Sequence, residues 1–162
     1  MGAPPSPIKF NSWLDTLLRW IEKEGLKGVK LVRQNPDGSL TTVDLHTLAF
    51  ADDLLLLAES IEDLQKLTNL VDRFLCLFGV ELQPDKSTLI KVGTTVTARW
   101  QESERISLLR ADSDGNIQPV EIRRAKPSVA TRYLGLAARR WRLGRHASQG
   151  LGASGYLVCC LT

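Results

Sequence analysis

Three cysteines are too few and too badly spaced to organise this chain. Cys76 lies inside a helical pattern and Cys159 stands beside Cys160, which gives neither a disulfide framework nor a zinc-ligand spacing. A cysteine-stapled secreted module is therefore excluded, and a reducing compartment is the natural setting. Histidine offers no more, since His46 flanks a strand pattern with no second His or Cys at ligand spacing. Apolar runs of transmembrane length are missing, and the first residues lack the basic-then-apolar order of a signal peptide. A soluble intracellular chain, nuclear or cytoplasmic, is expected. Internal repeats and long low-complexity tracts are also missing. Neither sign of charge dominates: a formal charge of +3 permits a nucleic-acid partner without demanding one. Much of the excess sits in the cluster Arg139, Arg140, Arg142 and Arg145, where a solvated tail competes with phosphate binding.

What is present suits one soluble domain with a moderate core: 162 residues, 43% hydrophobic and 24% charged. Phe10, Trp13, Leu14, Leu17, Leu18 and Ile21 recur at helical spacing up to Gly25, which predicts an amphipathic helix with Trp13 and Trp20 in the core rather than stacked on nucleotides. Two strand-like runs then surround the turn sequence Asn35-Pro36-Asp37-Gly38. Ser60 with Asp63 resembles a capping box for a second helix, whose stripe runs from Ile61 through Leu64, Leu67, Leu70, Val71, Phe74 and Leu75 to Phe78 and stops at Gly79. GVELQPDKSTLIKV predicts a loop bearing Asp85 and Lys86 followed by a strand. ISLLRADSDGNIQPVEI predicts a hairpin turning at Asp112 to Asn116, and ATRYLGL one last strand. Residues 1 to about 136 therefore form one α+β unit, with helices packed on one face of an antiparallel sheet. Residues 137–162 lose any period, gain Arg, Gly and Ser, and are expected to be an atypical, disordered tail.

Within HTLAFADDLLLL, Asp52 and Asp53 interrupt two apolar runs with no Gly or Pro between them. Leu48, Phe50, Leu54 and Leu56 suit two short buried strands, and a tight connection would push both carboxylates out at a hairpin tip. An aspartate pair in an ordinary turn is solvated surface. Here the apolar flanks argue otherwise, because adjacent like charges raise each other's proton affinity and a cation offsets that cost. Mg²⁺, which takes oxygen ligands, fits best.

The order of these pieces resembles the reverse transcriptase domain of non-LTR (LINE-like) retrotransposons, over roughly residues 1–136. Met1-Gly2-Ala3-Pro4-Pro5-Ser6-Pro7 running into FNSWLDTLLRWI is similar to the family's motif B, and Phe50-Ala51-Asp52-Asp53 to its motif C, a highly specific signature in this setting. GVELQPDKSTLI resembles motif D, and Tyr133-Leu134-Gly135 the YLG element that follows. The resemblance implies a partial polymerase palm and an RNA-directed DNA polymerase, a nucleotidyltransferase in which two divalent ions, Mg²⁺ or Mn²⁺, stabilise the attacking and leaving oxygens. It implies an RNA template, a DNA primer and dNTPs as partners. Asp52 and Asp53 would hold metal, and Phe50 and Ala51 would lie at the primer terminus. Gly2 would let the backbone approach the nucleotide. Lys86 would protonate the departing pyrophosphate, or else be a solvated loop lysine. Tyr133 would position the primer, or serve as a core tyrosine.

Catalysis is where the chain departs from the family. The family's other metal-binding Asp lies on motif A, upstream of motif B, together with the fingers; Met1 replaces the usual Gln, and Pro5 the usual Leu. The expectation is a reverse transcriptase fragment that is inactive by itself, with a non-catalytic, retroelement-derived nucleic-acid-binding or scaffold protein as the alternative. A palm-fold nucleotide cyclase is disfavoured because its Gly-Gly-Asp/Glu-Glu-Phe signature is absent.

Overall fold

Two amphipathic helices supply most of the apolar surface that the sheet buries. The structure, a computed structural model, describes residues 6–50, 53–92, 100–125, 131–133, 136–138 and 155–161. Helix α1 (Ser6–Lys23) directs Leu17 and Ile21 into the core, with Trp13 and Trp20 packed against it as expected. Helix α2 (Ile61–Cys76) begins at Ser60, whose Oγ accepts the Asp63 backbone N–H at 3.0 Å and donates to Asp63 Oδ2 at 2.8 Å. It ends where Gly79 turns to φ 70° and the Val80 N–H donates to the Leu75 carbonyl at 3.1 Å. Leu64, Leu67, Leu70, Val71, Phe74 and Leu75 are buried on one stripe. Trp13, Trp20 and Phe78 close around Phe74 with ring centroids 5.1–5.6 Å from it.

The strands in chain order are β1 (Val29–Gln34), β2 (Leu40–Leu45), β3 (Thr47–Phe50), β4 (Asp53–Ala58), β5 (Thr88–Val92), β6 (Ser107–Ala111), β7 (Ile117–Glu121), β8 (Arg123–Arg124), β9 (Thr131–Tyr133), β10 (Leu136–Ala138) and β11 (Gly155–Leu161). Among the described residues β3-β4-β11-β5-β8 form a central sheet, while β1–β2, β6–β7 and β9–β10 are separate antiparallel hairpins. All pairs are antiparallel except the short β5–β8 pair. The α+β expectation of a palm-like sheet with helices on one face holds. The turns at 35–38 and 112–116 also fall where the sequence put them, closed by Asn35 N–H to Ser39 O at 2.8 Å and Asp112 N–H to Asn116 O at 2.9 Å.

Three features differ from the sequence reading. ATRYLGL is two short strands rather than one, with Tyr133 paired to Leu136 across residues 134–135. Leu48 is 44% exposed, because its register neighbour is Leu55 and that face of the sheet carries no helix. The third is β11, drawn from the stretch expected to be a tail: its backbone lies in the middle of the central sheet, antiparallel to both β4 and β5.

Alternation along the strands separates the two faces of this sheet. Leu54, Leu56 and Ala58 of β4 join Leu89 of β5 and the helix stripes in one core. The opposite parity leaves Asp53, Leu57, Thr88 and Ile90 half-buried, and Leu48 and Arg123 exposed. Leu55 is covered at 9% exposure but lies outside the helix core. Two ion pairs pin the surrounding segments. Lys91 Nζ meets Glu104 Oε1 at 2.5 Å, while Glu104 Oε2 accepts the Gln101 N–H at 2.8 Å. Arg110 holds Asp72 with two bonds of 2.8 and 2.7 Å and donates a third, of 2.6 Å, to the Leu82 carbonyl. At Gly28, a Cβ would collide with the Leu45 carbonyl, so the chain crosses there with no room for a side chain.

Candidate metal and nucleotide site

The acidic hairpin forms because two strands with opposite sequence neighbours pair back on themselves. In β3 and β4, Thr47 faces Leu56, Leu48 faces Leu55, Ala49 faces Leu54 and Phe50 faces Asp53, so residues 51 and 52 bridge a closed ladder. Asp53 therefore opens β4, on the face away from the helices, with Leu161 of β11 as its other register neighbour. Its side chain is half-buried, and no group among the described residues donates a hydrogen bond to it. Ala51, Asp52 and Gly2 lie outside the described residues, as does the side chain of Phe50. Among the described residues no cluster of three or more His, Cys, Asp or Glu gathers. The donor set that Asp53 offers is a carboxylate, a hard oxygen ligand of the kind Mg²⁺ and Mn²⁺ take.

Lys86 enters from a second element. It is exposed in the turn at residues 84–86, just before β5, and that turn is fixed by Ser87, whose N–H and Oγ both reach the Gln83 carbonyl at 3.0 and 2.8 Å. The loop is also held from below, because Asp72 Oδ1 accepts the Leu82 N–H at 3.3 Å and the Arg110 guanidinium grips the Leu82 carbonyl. The Asp72 carboxylate, hydrogen-bonded to that guanidinium, raises the Arg110 pKa and keeps it charged. Strands β4 and β5 run parallel with β11 between them. Their starting ends thus lie on one side of the sheet, two strand spacings or roughly 10 Å apart, and Lys86 flanks the end that Asp53 opens.

One further cation stands at this end. Arg123 begins β8, pairs in register with Thr88, and is exposed on the face that Asp53 occupies. Its neighbour Arg124 has the opposite parity and is spent on structure: its guanidinium lies 5.9 Å from the Trp100 ring and donates to the Gln101 carbonyl at 3.2 Å. Sequence reasoning passed over Arg123 because EIRRAK reads as the end of a hairpin; the parity of two adjacent arginines was the available signal. Tyr133 is described only as backbone in β9. His46 places Nδ1 in a buried position without a partner among the described residues, between β2 and β3. Asp15, the acidic residue of α1, is exposed and bonded to Arg19 at 2.8 Å.

Comparison with known proteins identifies the family to which the chain belongs. Residues 1–137 match the family described as reverse transcriptase (RNA-dependent DNA polymerase). The chain is similar to the retrovirus-related Pol polyprotein from type-2 retrotransposable element R2DM of Drosophila melanogaster, 34% identical over 135 residues. That stretch is 83% of this chain and 11% of the relative. No solved structure matches. Among the described residues, no helix is long and apolar enough to cross a membrane.

Proposed function

Since this chain belongs to the reverse transcriptase (RNA-dependent DNA polymerase) family, as a domain of the non-LTR retrotransposon type, we propose that it is the part of an RNA-directed DNA polymerase that presents the FADD hairpin to a primer terminus. The family depends in general on divalent metal; Mg²⁺ is the ion proposed here, with Mn²⁺ as a substitute. Asp52 and Asp53 hold it, and it supplies charge neutralisation at the phosphate being transferred. Lys86 donates a proton to the departing pyrophosphate from the neighbouring turn. Phe50 and Ala51 border the primer terminus, Tyr133 orients the primer, and Gly2 leaves room for the nucleotide. Arg123 adds a phosphate contact on the same face. RNA template, DNA primer and dNTPs are the partners.

The observation that supports this reading is the position of Asp53, at the open end of a central strand, on the helix-free face and beside the Lys86 turn. Mn²⁺ binding followed by electron paramagnetic resonance tests it directly. The full chain should bind the ion, and Asp52→Asn with Asp53→Asn should weaken binding at least tenfold while thermal melting is unchanged. Equal binding by the double variant would sink the assignment. On the same reading, a polypeptide of residues 1–162 by itself gives no template-directed product in primer extension with Mg²⁺ or Mn²⁺. Product formation would contradict that.

A further inference from the structure

A buried ion pair adds little net stability, because desolvation offsets most of the attraction, but it does fix geometry. What the Asp72–Arg110 pair fixes, with side chains 14% and 17% exposed, is Leu82. Asp72 Oδ1 accepts the Leu82 N–H at 3.3 Å, the Arg110 guanidinium donates to the Leu82 carbonyl at 2.6 Å, and the Leu82 side chain is fully buried. Both backbone groups and the side chain are thus held. Ser87, also fully buried, is a second anchor: its N–H donates to the Gln83 and Pro84 carbonyls at 3.0 and 3.2 Å, and its Oγ donates to the Gln83 carbonyl at 2.8 Å.

Between the two anchors lies a turn, Gln83 to Lys86, closed by the Lys86 N–H on the Gln83 carbonyl at 3.2 Å and stiffened by Pro84. Lys86 is exposed and is the only cation from residue 80 to residue 90. A solvated loop lysine has no need of such a mount. We propose that Arg110 and Asp72 are positioning residues for Lys86, setting where the turn presents its ammonium beside the strand end that Asp53 opens. This rests on the reading of Lys86 given above and adds the residues through which that reading works. An ammonium on a flexible four-carbon stem reaches one place reproducibly only if the backbone beneath it is fixed. The planar fork of Arg110 is what reaches Asp72 and Leu82 together, and the hydrogen bond from Asp72 raises its pKa and keeps it charged. Arg110 is itself held in place, because Gln65 of α2 brackets the start of β6, donating to the Ser107 carbonyl at 2.8 Å and accepting the Ser107 N–H at 2.9 Å.

The test uses the full chain, with inorganic pyrophosphate and Mg²⁺ as the probe in isothermal titration calorimetry. Lys86→Ala should weaken pyrophosphate binding about tenfold, the share of one charge-assisted contact. The clamp is removed by Asp72→Leu with Arg110→Met, since an apolar pair fills the site without leaving a buried charge. Arg110→Lys, which keeps a charge opposite Asp72 but loses the fork, takes its place if the apolar pair does not melt cooperatively. The expected result is that the clamp variant binds pyrophosphate about fivefold to tenfold more weakly while still melting cooperatively, and that adding Lys86→Ala to it changes affinity by less than about twofold. A clamp that serves stability alone would lower the melting temperature and leave the effect of Lys86→Ala at about tenfold; that result overturns the proposal and leaves the reading of Lys86 standing. Lys86→Ala without effect in the original chain, or no pyrophosphate binding by that chain, overturns the reading of Lys86 and this inference with it.

Discussion

Neighbouring residues of β4 face opposite ways and serve opposite ends. Leu54, Leu56 and Ala58 look into the helices and are buried at 4%, 0% and 0% exposure. Asp53 and Leu57 look away from them and are half-covered. One face of the sheet carries the free energy of folding; the other is left with a carboxylate at its end, a lysine turn beside it and an arginine on the far strand. The comparison teaches that a period of two lets six consecutive residues supply both stability and chemistry, without the demands of one disturbing the other.

The sharpest way to break this comparison is to truncate each face in turn. Leu56→Ala should destabilise the fold by about 2–5 kcal/mol, lowering the melting temperature by about 10 °C, because it empties a fully buried position in the core cluster that also holds Leu64, Leu67 and Leu89. Leu57→Ala, one residue along, should cost under about 1.5 kcal/mol. Equal losses in urea unfolding would mean that the faces do not differ as described.

Asp72→Ala comes next, at about 3 kcal/mol, since it leaves the Arg110 guanidinium, whose side chain is only 17% exposed, with the longer 3.8 Å contact to Glu81 in place of its two bonds to Asp72. The change also frees the Leu82 N–H and so loosens the segment leading to Lys86. Amide hydrogen exchange should accelerate at residues 82–87 before it does in α2. Replacing both partners with apolar residues of similar volume should recover part of the loss. No recovery would mean that the pair acts through something other than its charges.

On the other face, Asp53→Asn should shift the melting temperature by less than about 2 °C, because no hydrogen bond to that carboxylate is lost among the described residues. It should nevertheless weaken Mn²⁺ binding about tenfold, which corresponds to about 1.4 kcal/mol. A large stability loss with metal binding intact would reverse the roles assigned to the two faces.

Local signals made much of this legible in advance. Ser60, Asp63 and Gly79 bracket α2; Asn35 to Gly38 and Asp112 to Asn116 close hairpins; and the apolar runs around Asp52 and Asp53 place the acidic strand start. These features all depend on neighbours a few residues apart, where period and turn chemistry speak directly. Strand order does not. Cys159 pairs with Leu55 and Thr88 across long stretches of sequence, and no periodicity records that pairing, so GYLVCCL read as part of a tail. The Lys86–Asp53 relation was hidden for the same reason, because it depends on which strand lies between β4 and β5.

The smallest expected effects come from the adjacent arginines of β8, and they repeat the comparison in miniature. Arg124→Ala removes a guanidinium 5.9 Å from the Trp100 ring and a bond to the Gln101 carbonyl. It should cost about 0.5–1 kcal/mol of stability and leave nucleic-acid binding alone. Arg123→Ala removes an exposed cation beside Thr88 and should leave stability alone. If that cation meets a phosphate, the slope of log affinity for single-stranded RNA against log salt becomes shallower by about 0.7, the share of one released counterion. The measurement has a built-in control, because both variants lose the same charge from the same two-residue strand. Equal salt slopes in the two variants would show that the net charge of this edge, and not the face each arginine occupies, governs its contact with nucleic acid.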